Sequence, residues 1–470
     1  LPSENKLFIV GIGPGQRNLI TLQALKAIEK SKYVVGHRTY IELIKDLLDG
    51  KSIWSSGMGQ EVERAKTAID LLDSGPVTLV SSGDPNIYGM AGLGLEIALK
   101  TISADRINMI PGVTALTAVA CRAGITFLDS VAFISLSDLL TPFNEIDCRM
   151  KLASELGMSV GLYNPRSRNR NWQLEKVLRY FRSDSSVLIA RNLGREGEDV
   201  VWSNIKGLVE NNNIKKKIDM STLVLICGNN IHRGKAFRES KINIVGIGPG
   251  DPHCLTVEAK ELLTRSDKIF GPKRYLQIIR NLSHREGISH DGDCSQRMRL
   301  RFKEAKAAAE ENQISSILTG GDPSVFSGAW RILEEAKDEY NIHVSPGISA
   351  FSAVAAKAGA PLVNDFAITC QAKESTKITR LIDAGFGVVA YNVHAHELGP
   401  ILQEIPQERP CALARDINRR KEELKISTAT DLLEARVEGT RFTLIIASNY
   451  SFIKDNRIIT LRGYQSKYGY

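Results

Sequence analysis

A nine-residue string recurs in this chain with its last seven residues identical: Leu7-Phe-Ile-Val-Gly-Ile-Gly-Pro-Gly15 returns as Ile242-Asn-Ile-Val-Gly-Ile-Gly-Pro-Gly250. Three further pairs keep the same order. Ser82-Gly-Asp-Pro85 is matched by Gly320-Gly-Asp-Pro323, Pro111-Gly-Val-Thr-Ala115 by Pro346-Gly-Ile-Ser-Ala350, and Tyr163-Asn164 by Tyr391-Asn392. The offsets are 235, 238, 235 and 228 residues, so two complete units stand in series with only short insertions and deletions between them. A chain of 470 residues built this way folds as two related bodies, each long enough to bury its own core.

Strand-like and helix-like segments alternate in the first unit. Phe8-Ile-Val10, Tyr33-Val-Val35, Val77-Thr-Leu-Val-Ser81 and Ile107-Asn-Met-Ile110 read as strands; 19–30, 90–98 and 115–123 carry apolar residues at helical spacing. Such alternation predicts a mostly parallel sheet. The pattern restarts at Val131 with Phe133-Ile-Ser-Leu136, Val160-Gly-Leu-Tyr163, Val187-Leu-Ile-Ala190 and Thr222-Leu-Val-Leu-Ile-Cys227, which predicts a second α/β lobe. The expected layout is a first unit over 1–228 with lobes of about 6–128 and 129–228, and a polar, basic linker over 229–241. A second unit then covers 242–470, with lobes of about 242–362 and 363–450.

Composition narrows the function classes. Hydrophobic residues at 43% and charged residues at 24% suit a globular protein, and no apolar run approaches the ~18 residues of a membrane span. The opening residues run straight into a strand without the pattern of a secretory signal. Seven cysteines, at 121, 148, 227, 254, 294, 370 and 411, form no Cys-x-x-Cys, so neither a disulfide framework nor a zinc clasp is indicated, and a cytoplasmic protein is expected. The net charge of +8 favours an anionic ligand or is simply a basic surface; no nucleic-acid motif accompanies it.

The motifs point to a ligand cleft. A dinucleotide-binding Gly-x-Gly-x-x-Gly would need glycine where Gln16 and Asp251 stand, and an acidic residue there repels a pyrophosphate. The segment is a tight strand-to-helix turn. Gly83 lets a ligand approach the backbone, and Asp84 is presented at a strand's carboxyl end, where open α/β sheets bind ligands. Thr114 is placed as a helix N-cap.

Together these motifs resemble the S-adenosylmethionine-dependent tetrapyrrole methylases, across both halves. The resemblance implies two α/β lobes per unit with a cofactor cleft between them. It implies S-adenosyl-L-methionine contacts at Pro14, Gly83, Asp84, Ile87, Thr114, Ala115 and Asn164, and at Pro249, Gly321, Asp322, Val325, Ser349, Ala350 and Asn392. Glu61-Val-Glu-Arg-Ala65, Ile134-Ser-Leu-Ser-Asp-Leu-Leu-Thr-Pro142, Tyr163-Asn-Pro-Arg-Ser-Arg168 and Arg191-Asn-Leu-Gly-Arg-Glu-Gly197 make the first half similar to the precorrin-3B C(17)-methyltransferase branch of cobalamin biosynthesis. That branch methylates an anionic tetrapyrrole, precorrin-3B or its cobalt-containing counterpart, and accompanies ring contraction. Arg166 and Arg168 suit its peripheral carboxylates, because guanidinium forks pair with carboxylates. Ser135, Ser137 and Asp138 are the candidates for hydrogen bonding or proton transfer at the ring.

The second half keeps the cofactor loops and loses the substrate segments. Ser135, Ser137 and Asp138 become Thr369, Gln371 and Ala372, while Arg166 and Arg168 become His394 and His396. Two histidines without an ordered third ligand read as surface residues, so no metal site is expected. By the same resemblance the fusion is an intramolecular version of the homodimer that family members form, expected to be monomeric in solution, with a catalytic first half and a partner second half. The alternatives are methylation at another precorrin position, a bifunctional tandem enzyme, or a second half that binds cofactor or tetrapyrrole in a regulatory role.

Overall fold

The computed structural model describes residues 5–167, 170–237, 239–282, 287–336, 339–370 and 375–469. Each half opens with a five-stranded sheet, ordered Ser52–Ser56, Tyr33–His37, Val77–Ser81, Leu7–Gly11, Ile107–Ile110 in the first and Gly287–Ile288, Lys268–Phe270, Ser315–Thr319, Ile242–Gly246, Ile342–Ser345 in the second. Every pairing in both sheets is parallel. The central strands Leu7–Gly11, Val77–Ser81, Ile242–Gly246 and Ser315–Thr319 are buried along nearly their whole length, as strands of a parallel sheet covered on both faces are.

The expectation of mostly parallel pairing fails in the second lobes. In the first half only Val131–Ser135 and Ser159–Tyr163 run parallel; Thr222–Ile226, Ser186–Arg191 and Asp199–Asn204 are then added antiparallel. The last strand escapes sequence reading because its half-exposed residues show no alternation. The expected helix over 19–30 is also divided: a 3₁₀ turn at Arg17–Leu19 precedes Leu22–Lys30, and the Thr21 hydroxyl accepts the Ala24 N–H as its N-cap.

The two second lobes share one ten-stranded sheet. Its order reads outward identically from the middle pair, Val131–Ser135 against Phe366–Thr369. Phe133 pairs with Phe366 and Ala132 with Ala367 in antiparallel register. At the offset of 234 these two pairings exchange, which is the signature of an isologous, pseudo-two-fold contact. The Phe133 and Phe366 rings stack at 4.4 Å, with Phe351 at 5.8 Å from each. A second contact lies on the same pseudo-axis, where Thr21 bridges its own counterpart Thr256, the Leu22 N–H donates to the Leu255 carbonyl, and the Val257 N–H donates to that of Ile20.

The polar segment between the halves is tied down. Its residues Ile231–Arg233 form a strand against Ile125–Phe127, and Phe127 exchanges backbone hydrogen bonds with the second half at Ser324 and Phe326. Among the described residues, no helix is long and apolar enough to cross a membrane.

Candidate functional site

Between the two lobes of the first half lies a cavity of about 310 Å³. Its first-lobe wall is the turn at Pro14, the loop Ser82-Gly83-Asp84 with Ile87 and Tyr88, and the His37 to Tyr40 corner; Thr114 and Ala115 start a helix beside it. The second lobe adds Tyr163, Asn164, Asn192, Arg195 and the run Met220 to Leu223. The seven expected cofactor residues of the first half therefore meet in one cleft.

The Gly-x-Gly-Pro-Gly turn has a specific steric reason. A side chain at Gly15 would lie 2.5 Å from Cγ of Arg195, and its φ of +155° is one that other residues avoid. Arg195 spans the two lobes there: Nε donates to the Pro14 carbonyl at 3.0 Å and Nη2 to the Ser82 hydroxyl at 3.2 Å, with the guanidinium 5.8 Å from the Tyr40 ring. The second half repeats this with Gly250, Arg419, Pro249 and Tyr275, Arg419 Nε lying 2.8 Å from the Pro249 carbonyl.

Thr114 does not cap its helix with its hydroxyl. That hydroxyl pairs with Tyr163 Oη at 2.7 Å, and Oη itself accepts the Leu116 N–H at 3.3 Å. A tyrosine from the opposite lobe thus supplies the capping oxygen. Tyr391 does the same for Phe351 N at 2.9 Å, with Ser349 heading that helix without a side-chain cap. Burial raises both phenols' pKa values, so they remain protonated.

Asp84 forms part of the cavity wall and is almost fully buried. Its Oδ1 accepts the Asn86 N–H at 2.8 Å, whereas Oδ2 has no hydrogen-bond partner. Burial pushes its carboxyl up to about 7, against the pull of the Asn86 and Gly112 N–H groups and the Ser352 hydroxyl of the second half. The counterpart Asp322 is better satisfied. It accepts from Ser324 N at 2.8 Å, Ser324 Oγ at 2.5 Å and Gly347 N at 3.1 Å, with the Cys121 thiol of the first half at 3.6 Å; burial still raises it.

Asn164 holds a left-handed φ of +50°, and its Nδ2 donates to the Ser135 hydroxyl at 3.0 Å. That hydroxyl also accepts the Ser137 N–H, so Ser135 orders the cleft margin from a buried position. Asp138 accepts from Gln173 at 2.9 Å and lies 3.8 Å from Arg170. Arg166 donates to the Lys215 carbonyl at 2.9 Å, which ties part of its guanidinium to the protein, and Arg168 lies outside the described residues. Sequence reasoning passed over His37, Tyr88, Tyr163 and Arg195. The quoted Tyr163-Asn164 motif and the quoted segment Arg191 to Gly197 contained two of them, Tyr163 and Arg195, without a role.

In the second half Gly321 and Asn392 repeat the positive φ values of +69° and +56°, while Val325 bridges Phe127 and Ala350 starts the helix after Ser349. Two differences stand out. Phe326 takes the place of Tyr88, and the Tyr275 hydroxyl lies where a side chain at Gly320 would stand, 2.4 Å from that Cβ position. His394 heads the helix Ala395–Gln403, its N–H donating to Glu397. Gln371 and Ala372 lie outside the described residues.

The sequence model of the family described as Tetrapyrrole (Corrin/Porphyrin) Methylases matches residues 6–209 and 241–433. The cobalamin biosynthesis protein CbiHC of Archaeoglobus fulgidus is 40% identical over 232 residues, which are 49% of this chain and 50% of that protein. The probable cobalt-factor III C(17)-methyltransferase of Salmonella typhimurium is 36% identical over 225 residues, 47% of this chain and 91% of that protein. The crystal structure of the methyltransferase CobJ aligns with 27% identity and a TM-score of 0.43, covering 48% of this chain and 94% of that one.

Proposed function

Because the chain belongs to the tetrapyrrole (corrin/porphyrin) methylases, we propose that its first half binds S-adenosylmethionine in the interlobe cleft and methylates C17 of a precorrin or cobalt-factor substrate, with the accompanying ring contraction. The observation that carries this reading is the convergence of Pro14, Gly83, Asp84, Ile87, Thr114, Ala115 and Asn164 on one cavity. The residues fit such a group. The volume of about 310 Å³ falls within the ~300–1,000 Å³ of small-molecule sites, Met58, Met220 and Leu223 offer apolar wall, and Asp84 Oδ2 is an unpaired polar atom.

S-adenosylmethionine, when bound, supplies an electrophilic sulfonium methyl. The acceptor, an electron-rich carbon of a reduced tetrapyrrole, is already a nucleophile, so the chain's task is placement at ~3–3.5 Å in line. Arg195 and Tyr163 serve this by locking the lobes across the cleft. His37 accepts the Thr39 N–H at Nδ1, which assigns its proton to Nε2, and burial with Arg64 nearby keeps it neutral, so it holds a proton at the cleft wall. Arg166 and Arg168 anchor substrate carboxylates, and Ser135, Ser137 and Asp138 shape the margin facing the ring.

The second half serves as the partner. Phe326 for Tyr88 and Tyr275 leaning on Gly320 favour this over a second active site. The duplication replaces a concentration-dependent dimer with an intramolecular one, and the chain acts as a monomer. Incubation with methyl-labelled S-adenosylmethionine and precorrin-3B or cobalt-factor III, followed by mass spectrometry of the product, tests the reaction. Label at C17 is expected; label elsewhere, or none with either acceptor, refutes it.

A further inference from the structure

Across the interface, the second half sends one carboxylate into the wall of the first half's cleft. Asp365 is buried, and its Oδ1 accepts both the Tyr88 hydroxyl at 2.8 Å and the Ser135 N–H at 3.0 Å. Oδ2 accepts Arg149 Nη1 at 3.0 Å, and Arg149 is itself held by Glu145 and the Ala384 carbonyl. The carboxylate is therefore neutralised by a paired guanidinium, which leaves its other oxygen free to organise the cleft.

Both groups held by Asp365 lead to the cavity. Tyr88 lines it, in a left-handed conformation with φ +52° that a bulky residue adopts only when its surroundings impose it. Its ring packs 4.9 Å from that of Tyr163, whose hydroxyl caps the helix behind Ala115. Ser135 carries the hydroxyl that fixes Asn164 Nδ2. The Phe133 carbonyl also lies 2.8 Å from Tyr88 Oη, but the phenol has one proton, and the carboxylate paired with Arg149 is the stronger acceptor.

The arrangement is not reciprocated. At the offset of 234 the first half carries Val131 where the second carries Asp365, the nearby Asp129 pairs instead with Lys377 at 3.3 Å in a half-exposed position, and the second half has Phe326 where Tyr88 would present its hydroxyl.

We propose that Asp365 is a positioning residue contributed by the second half to the first half's cleft, which is incomplete without it. The inference rests on the reading of that cleft as the cofactor site. Its action runs through Tyr88 on one side and through Ser135 to Asn164 on the other.

The test uses the full chain with D365N, Y88F, the double variant and D129N, titrated with S-adenosylhomocysteine by calorimetry. Losing a hydrogen bond to a charged acceptor predicts about ten-fold weaker binding in D365N and in Y88F. The double variant should be no weaker than D365N, and D129N, which cuts an interfacial ion pair away from the cleft, should bind like the parent. Parent-like affinity in D365N, or an equal loss in D129N, overturns the proposal; if D365N does not fold, Y88F decides alone. If the parent itself binds no S-adenosylhomocysteine, the cofactor reading fails, and amide hydrogen exchange of D365N then decides. Lost protection over 131–137 with the rest unchanged supports the positioning, and unchanged protection there refutes it.

Discussion

Asp84→Asn should flatten the protein's stability between pH 5 and pH 8. The carboxyl's ordinary value of 3.8 applies in the unfolded chain, and burial pushes it up to about 7 in the folded one. Over that window the folded state keeps a proton that the unfolded state has released, so stability falls as pH rises. The contribution is fully present below the unfolded value and is lost by the time pH passes the folded one. About three units at ~1.4 kcal/mol each give about 4 kcal/mol, of which about 3 kcal/mol falls between pH 5 and 8. With the whole chain of 470 residues as the unfolding unit and ~2.1 cal/mol/K per residue, 1 kcal/mol shifts Tm by about 1 °C. The parent's Tm should therefore drop about 3 °C more than that of D84N between the two pH values. Asp322 is present in both proteins and cancels in the comparison. Scanning calorimetry at pH 5 and 8 on both proteins measures this difference. A difference that does not change with pH would mean that water reaches Asp84 and that the carboxyl titrates in its ordinary range.

Tyr163→Phe removes the hydroxyl that serves both Thr114 and the Leu116 N–H. It should cost about 1–3 kcal/mol in urea denaturation, and Tyr391→Phe, which strands only the Phe351 N–H, should cost less. Arg166→Ala combined with Arg168→Ala should weaken tetrapyrrole binding, read by absorbance titration, while S-adenosylhomocysteine affinity stays near that of the parent. Added salt should mimic the double substitution, because screening shortens the reach of exposed charges; parent-like tetrapyrrole binding would mark the loop as a solvated face.

Local motifs were legible in the sequence, and their long-range partners were not. The turn at Gly11 to Gly15 reads as a strand-to-helix turn from its glycines alone, but Arg195, the reason for Gly15, lies 180 residues away in sequence. Thr114 carries the usual signature of an N-cap, yet a tyrosine from the other lobe outcompetes the local bond, a tertiary choice that spacing does not encode. The strand Val131–Ser135 announces itself as wholly buried, but an apolar run does not say which strand lies beside it, so the sheet shared by the two halves could not be read. Nor could Asp365, whose partners Tyr88, Ser135 and Arg149 are all more than 200 residues away.

The measurement that bears most directly on the division of labour blocks one cleft at a time. Ala115 lines the first half's cavity and Ala350 holds the matching place in the second. In single-turnover methyl transfer from labelled S-adenosylmethionine to cobalt-factor III or precorrin-3B, A115F should abolish labelling at C17, and A350F should leave it close to the parent rate with the fold intact. Loss of labelling in A350F, or its persistence in A115F, would contradict a catalytic first half supported by a second half that has become its partner.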